Sequence, residues 1–193
     1  MKQYTHDWFS YYIPVHQAFL NHLEGKENLK FLEIGSFEGL STNWFLDNIL
    51  TDKSSKIYCI DTFEGSLGEH DNLELSHLYD TFLNNIDEKK EQVEIFKGKS
   101  SEKLFDSKIR KEKFDFIFID GCHESKEVLE DAVLSWELLK KDGIMTFDDA
   151  LWGDFQKNPS KTPKIAIESF INTYRDYLKI LYSGYQVVIR KIK

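Results

Sequence analysis

Apolar positions along this chain fall into short runs that alternate between strand-like and helical spacing. The first ~25 residues carry Trp8, Phe9, Tyr11, Tyr12, Ile13, Val15, Phe19, Leu20 and Leu23, which suits an amphipathic helix around Pro14, or two short ones. Leu29 to Gly35 is a tight run that reads as a buried strand. Ser36 to Leu50 reads as a helix, with Leu40, Trp44, Phe45, Ile49 and Leu50 on one side. The alternation continues with a strand at Lys56–Asp61, a helix at Leu73–Ile86 and a strand at Gln92–Lys97. A short helix is expected at Ser101–Ile109, and the strongest strand at Phe114–Asp120. Glu124 to Lys141 reads as the clearest helix, stopped by Asp142-Gly143. Ile144–Asp148 is the next strand and Lys164–Leu178 the next helix. Lys179–Tyr182 and Gln186–Arg190, split by Ser183-Gly184, read as a closing hairpin.

Strands that alternate with helices and look buried on both faces predict a mostly parallel sheet covered on both sides. The expected fold is therefore α/β and Rossmann-like, with seven strands and a C-terminal antiparallel hairpin. One domain is expected over 1–193, with a helical segment at 1–28 and the Rossmann-like core at 29–193.

Composition narrows the function classes. At 193 residues, with 41% hydrophobic and 30% charged, the chain suits one sizeable core. A net charge of −8 argues against nucleic acid or an anionic membrane as partner. No apolar run approaches the ~20 residues of a membrane span. Two cysteines without Cys-x-x-Cys spacing suit a reducing, cytoplasmic setting. Exposed apolar residues of the N-terminal helix would suit a homodimer, or would cap the domain's own sheet.

In open parallel sheets the ligand sits at the carboxyl ends of the strands. Here those ends read Glu33-Ile34-Gly35-Ser36-Phe37-Glu38-Gly39, then Asp61, then Gly98-Lys99-Ser100-Ser101, then Asp120-Gly121-Cys122-His123, then Asp148-Asp149. Gly35 and Gly39 allow a sharp turn and a close backbone approach, and Asp61 suits the two hydroxyls of a ribose. The loop lacks the middle glycine of the G-x-G-x-x-G dinucleotide pattern. Glu33 beside it would repel a pyrophosphate and favour an ammonium. A ribose with a positive end, as in S-adenosylmethionine, fits both features. Asp120, Asp148 and Asp149 at adjacent strand ends would repel one another, which favours a bound divalent cation of the Mg²⁺ kind. His123 lies on the loop over the same cleft and has a side chain suited to taking a hydroxyl proton.

Phe31 to Gly39 resembles the first motif of class I S-adenosylmethionine-dependent methyltransferases. Phe114 to Asp149, with Asp-Gly-x-His and Asp-Asp at the ends of its two strands, resembles the small bacterial branch that includes macrocin-type sugar O-methyltransferases and cephalosporin-hydroxylase-like proteins. The resemblance implies that Glu33 and Gly35 hold the methionine end and that Asp61 takes the ribose hydroxyls, with Ser36, Gly39 and Thr62 also in the cofactor site. It implies that Ser100 touches the adenine and that Phe63 packs on the adenine face. Asp120 joins the cofactor site and, with Asp148 and Asp149, holds the metal; His123 is the base beside Asp120. The expected reaction is metal-assisted O-methylation of a small hydroxylated molecule such as a sugar. Candidate acceptor-pocket pieces are the N-terminal aromatic segment, the stretch 64–70, and Trp152 with Phe155. The alternatives are an NAD(P)-dependent oxidoreductase or epimerase, against which the absence of a Tyr-x-x-x-Lys pair also counts, and a non-catalytic S-adenosylmethionine-binding module.

Overall fold

The computed structural model describes residues 2–65 and 73–193. Seven strands form one sheet in the order β3-β2-β1-β4-β5-β7-β6. They are β1 (Lys30–Ile34), β2 (Lys56–Asp61), β3 (Val93–Lys97), β4 (Phe114–Ile119), β5 (Leu139–Phe147), β6 (Leu178–Ser183) and β7 (Val187–Lys191). The first five are parallel, and β7 runs antiparallel between β5 and β6. Strand order reverses between β1 and β4, so the loops after these two strands part and leave a crevice at their carboxyl ends.

The seven α-helices are α1 (Ile13–Leu20), α2 (Leu40–Asn48), α3 (Leu78–Ile86), α4 (Ser100–Lys103), α5 (Ser107–Arg110), α6 (Ser125–Trp136) and α7 (Lys164–Tyr174) among the described residues. Strand side chains alternate between two cores. Phe31, Cys59, Phe116 and Phe118 pack with Phe45 and Leu46 of α2 and Phe82 of α3. Leu32, Ile34, Ile117 and Ile119 pack with Val128 and Trp136 of α6 and Phe170 of α7. Each fully buried Phe, Leu or Ile contributes ~1.5–3 kcal/mol, so both faces are strongly held.

The sequence misplaces several boundaries; the helix expected from Leu73 starts at Leu78 and the strand expected from Ile144 starts at Leu139. The helix expected from Ser36 starts at Leu40, because Gly35, Phe37 and Gly39 all take positive φ and the stretch between β1 and α2 is a loop. The helix expected to reach Lys141 ends at Trp136, and Leu139 already pairs with Phe114 in β5. Leu138 and Leu139 have helical spacing, yet both are buried beside the sheet. Asp142 takes φ +64 inside β5, and the ladder shifts register between Phe114 and Phe116, so Asp142-Gly143 makes a strand irregularity rather than a helix stop. The short helix expected at Ser101–Ile109 splits into α4 and α5, with the Asp106 carboxylate capping the second through the Lys108 N–H at 2.8 Å.

The N-terminal strap crosses α2 and α3 before α1 begins. The Gln3 N–H donates to Asn85 Oδ1 (2.7 Å), the Thr5 N–H and hydroxyl donate to Glu38 (both 2.7 Å), and Asn43 Nδ2 donates to the Tyr4 hydroxyl (3.0 Å). These bonds carry His6 and Trp8 to the mouth of the crevice. Among the described residues, no helix is long and apolar enough to cross a membrane.

Candidate active site

A cavity of about 1050 Å³ opens at the carboxyl ends of β1, β2, β4 and β5. Gly35 sets its floor. With φ +89, a Cβ on this residue would sit 1.9 Å from the Asp120 carbonyl oxygen, so the loops after β1 and β4 cross backbone to backbone. Only glycine fits there.

Below that crossing Glu33 is fully buried. Its carboxylate accepts from Ser36 Oγ (2.7 Å), Ser41 Oγ (2.6 Å), Thr42 Oγ1 and Cys59 Sγ (3.4 Å). Burial pushes its pKa up, and the four donors push the other way. Glu33 does not reach the cavity wall, unlike Gly35 and Ser36. The expected direct contact between Glu33 and the methionine end is therefore corrected: this carboxylate ties the glycine loop to the first turn of α2. Asp61 does reach the cavity, and also braces the loop. Its Oδ2 accepts from the Ser36 and Phe37 N–H groups (2.7 and 2.9 Å), its Oδ1 from the Phe63 N–H (2.6 Å). Each oxygen has two acceptor sites, so capacity remains for a ligand hydroxyl.

Thr62 and Ser100 line the cavity, whereas Phe63 does not. Phe63 is 4% exposed and packs on Tyr79 and Phe82, at 4.8 and 5.0 Å between ring centroids. The expected stacking of Phe63 on the adenine is thus replaced by a core role. Gly39 caps the start of α2 against Phe82. Of the acceptor-pocket candidates, Trp152 lines the cavity and Phe155 does not; Phe155 packs under Lys164 Nζ at 4.8 Å. Most of the stretch 64–70 lies outside the described residues.

The acids after β4 and β5 are arranged differently from Glu33. One ligand atom each from Asp120, His123 and Asp149 falls within 4.8 Å of the others. His123 Nε2 is 2.8 Å from Asp149 Oδ2. The trio expected from sequence contained Asp148 instead of His123. In the structure Asp148 is 8% exposed, and its oxygens accept from the Asp149 N–H (2.8 Å) and Gln186 Nε2 (3.1 Å). It stands behind the group rather than in it. Burial first, then the charges of Asp148 and Asp149, hold the Asp120 carboxyl well above the usual carboxylate range. Burial and Asp149 likewise push Asp148 up to about 7. A crowded set of oxygen donors that resists ionisation is the chemistry a divalent cation relieves, so these residues fit one.

Several wall residues escaped the sequence reading. Tyr185, at the turn between β6 and β7, bonds Asp149 through its hydroxyl and stacks on Tyr12 at 5.2 Å. Burial first, then that bond, raise the Tyr185 pKa. Trp152 lies 4.6 Å from the His123 ring. Behind them Gln186 Nε2 also faces His16 Nε2 at 3.4 Å, and burial drops the His16 pKa to about 3. Asp131 of α6 reaches the wall from below. Tyr185, Gln186 and His16 sit far in sequence from any strand-end motif; the hairpin's return brings in the first two and α1 the third.

A glycine loop crossing backbone to backbone, a carboxylate at the end of β2 and an acidic group after β4 and β5 define the class: an S-adenosylmethionine-dependent methyltransferase of class I. A family model described as a methyltransferase domain matches residues 32–150, and the chain belongs to that family. The match leaves the nicotinamide reading unsupported. No curated protein matches the chain. Among solved structures, the O-methyltransferase from Bacillus cereus in complex with SAH is similar at TM-score 0.70 and 19% identity, over 98% of this chain and 84% of that one. The MycE methyltransferase of the mycinamycin biosynthetic pathway, in complex with Mg, SAH and mycinamycin VI, is similar at TM-score 0.66 and 16% identity, over 97% of this chain and 51% of that one. At such identities the likeness speaks for the fold alone.

Proposed function

We propose that the protein O-methylates a small hydroxylated molecule such as a sugar, assisted by a divalent cation. The observation that carries this reading is the Asp120, His123 and Asp149 group in the same cavity as the glycine loop and Asp61. Two structural neighbours support it, an O-methyltransferase in complex with SAH and a methyltransferase in complex with Mg, SAH and mycinamycin VI.

Bound S-adenosylmethionine supplies a methyl group already activated by its sulfonium. The protein aligns and deprotonates. The backbone of Gly35 and Ser36 faces the methionine end, Asp61 and Thr62 the ribose, and Ser100 the adenine. His123 takes the acceptor's hydroxyl proton, and Asp149, whose Oδ2 lies 2.8 Å from Nε2, steadies the positive charge the ring acquires. Transfer forms an oxygen–carbon bond and breaks the sulfur–carbon bond. Asp120 and Asp149 would hold the cation with Asp148 behind them, and the cation would lower the acceptor's pKa. Tyr12, Tyr185 and Trp152 give the acceptor flat walls on which a ring can stack.

The test is thermal stability with S-adenosylhomocysteine or NAD⁺, each with and without Mg²⁺. A ligand at ~100 times its dissociation constant adds ~2.7 kcal/mol, several degrees for a chain of this size. The expected result is a shift with S-adenosylhomocysteine that Mg²⁺ enlarges. A shift with NAD⁺ alone overturns the cofactor assignment, and an S-adenosylhomocysteine shift indifferent to Mg²⁺ overturns the cation.

A further inference from the structure

The end of the cavity beyond Asp61 lies between the turn Gly98-Lys99-Ser100, after β3, and Gly121, after β4. This is where the proposed function seats the adenine, and the inference rests on that reading. Adenine presents an exocyclic amino group, which demands an acceptor. The turn after β3 offers no carboxylate, only the weaker acceptors of serine hydroxyls and backbone.

A carboxylate stands behind that turn. Asp131 lies on the inner face of α6, among the buried Val128, Ala132 and Ser135. It is 2% exposed and forms part of the cavity wall. The Ser100 hydroxyl bonds it. Its Oδ2 would lie 3.8 Å from a Cβ at Gly121, so the glycine leaves its approach open. Its Oδ1 is buried and has no partner. A buried acceptor left unsatisfied costs ~1–3 kcal/mol, a cost that a ligand donor removes. The terminal torsion of aspartate is broad, so a partial rotation turns an oxygen toward the cavity with little strain. The other acids of this helix on the wall, Glu127 and Glu130, both pair with Lys126 on the surface side, although one Glu127 oxygen is also buried without a partner.

We infer that Asp131 is the base-specificity residue of the cofactor site, accepting a hydrogen bond from the adenine amino group beside Ser100. Burial pushes its pKa up to about 7, as suits a carboxyl that lacks a second donor until the cofactor arrives.

The test is calorimetric binding of S-adenosylhomocysteine and of S-inosylhomocysteine, in which an oxo group replaces the amine. The wild type is expected to prefer the adenosyl compound by tenfold or more. Asp131→Ala should weaken the adenosyl compound and leave the two within about twofold of each other. Asp131→Asn, of the same shape and able both to accept and to donate, should bind both, and it guards against a misfolded alanine variant. Equal binding by the wild type overturns the inference. So does an alanine variant that weakens both compounds by one factor, since Asp131 would then act only by holding Ser100. If the wild type binds neither compound, the cofactor assignment itself fails.

Discussion

One carboxylate beneath the cavity and three on its wall are treated in opposite ways. Glu33, at the end of β1, is fully buried and receives three hydroxyls and a thiol. Asp120, Asp148 and Asp149, at the ends of β4 and β5, face one another's charge. The difference teaches how to read an acid at a strand end. Where donors already saturate it, the carboxylate builds the loop. Where like charges crowd it, the fold has left work for a ligand.

The comparison is sharpest where the two regions touch. Gly35→Ala would drive a Cβ to 1.9 Å from the Asp120 carbonyl, at a backbone φ that side chains resist. The expected outcome is loss of the folded state, or at least several kcal/mol in chemical denaturation. A variant as stable as wild type would mean that the two loops do not cross as described.

Next in size is the Glu33 side. Glu33→Leu leaves buried hydroxyls without an acceptor and should cost ~3 kcal/mol or more; Glu33→Gln, which keeps one acceptor oxygen, should cost less. Equal losses for the two would point to volume rather than hydrogen bonding. The crowded side should respond with the opposite sign. Asp120→Asn removes a carboxyl that burial and neighbouring charge disfavour in its ionised form, so without divalent cation it should stabilise the protein at pH 7.5. The same variant should abolish any Mg²⁺-dependent rise in melting temperature. Destabilisation by Asp120→Asn would erase the contrast between the regions.

The fold was legible because strand periodicity survives burial: β2 runs from Lys56 to Asp61 as read from the sequence, and β1, β3 and β4 each lie within a residue or two of their expected ends. The errors fell where tertiary pairing overrides local spacing, as when Leu139 leaves its helical pattern to pair with Phe114. At the site, residues that follow a strand were legible, because chain order alone carries Asp61, Ser100, Asp120 and Asp149 to one edge. Side-chain direction was not. Alternation along β1 turns Glu33 toward α2 rather than toward the ligand, and the Asp148 carboxylate bends to Gln186, a residue 38 positions on. Phe63, at positive φ, points into the core.

The last prediction takes the comparison to two single buried groups, Asp131 and His16, whose effects on stability oppose. The folded pKa of Asp131 is about 7, above the ~3.9 of an unfolded aspartate. Between those values the folded state holds a proton that the unfolded state has lost, so its contribution to stability falls as pH rises from ~4 to ~7. The folded pKa of His16 is about 3, below the ~6.5 of an unfolded histidine. There the unfolded state holds the extra proton, so stability rises with pH from ~3 to ~6.5. Each slope is at most about 1.4 kcal/mol per pH unit, and in the wild type they largely cancel between pH 4.5 and 6.5. Asp131→Asn should expose the rising slope of His16, and His16→Phe, whose ring suits the surrounding Phe9, Phe45 and Phe118, should expose the falling slope of Asp131. Urea denaturation at pH 4.5, 5.5 and 6.5 separates them. Two variants whose profiles run parallel to the wild type would mean that neither group changes its proton state on folding, and that burial in this protein weighs less on an ionisable group than the company it is given.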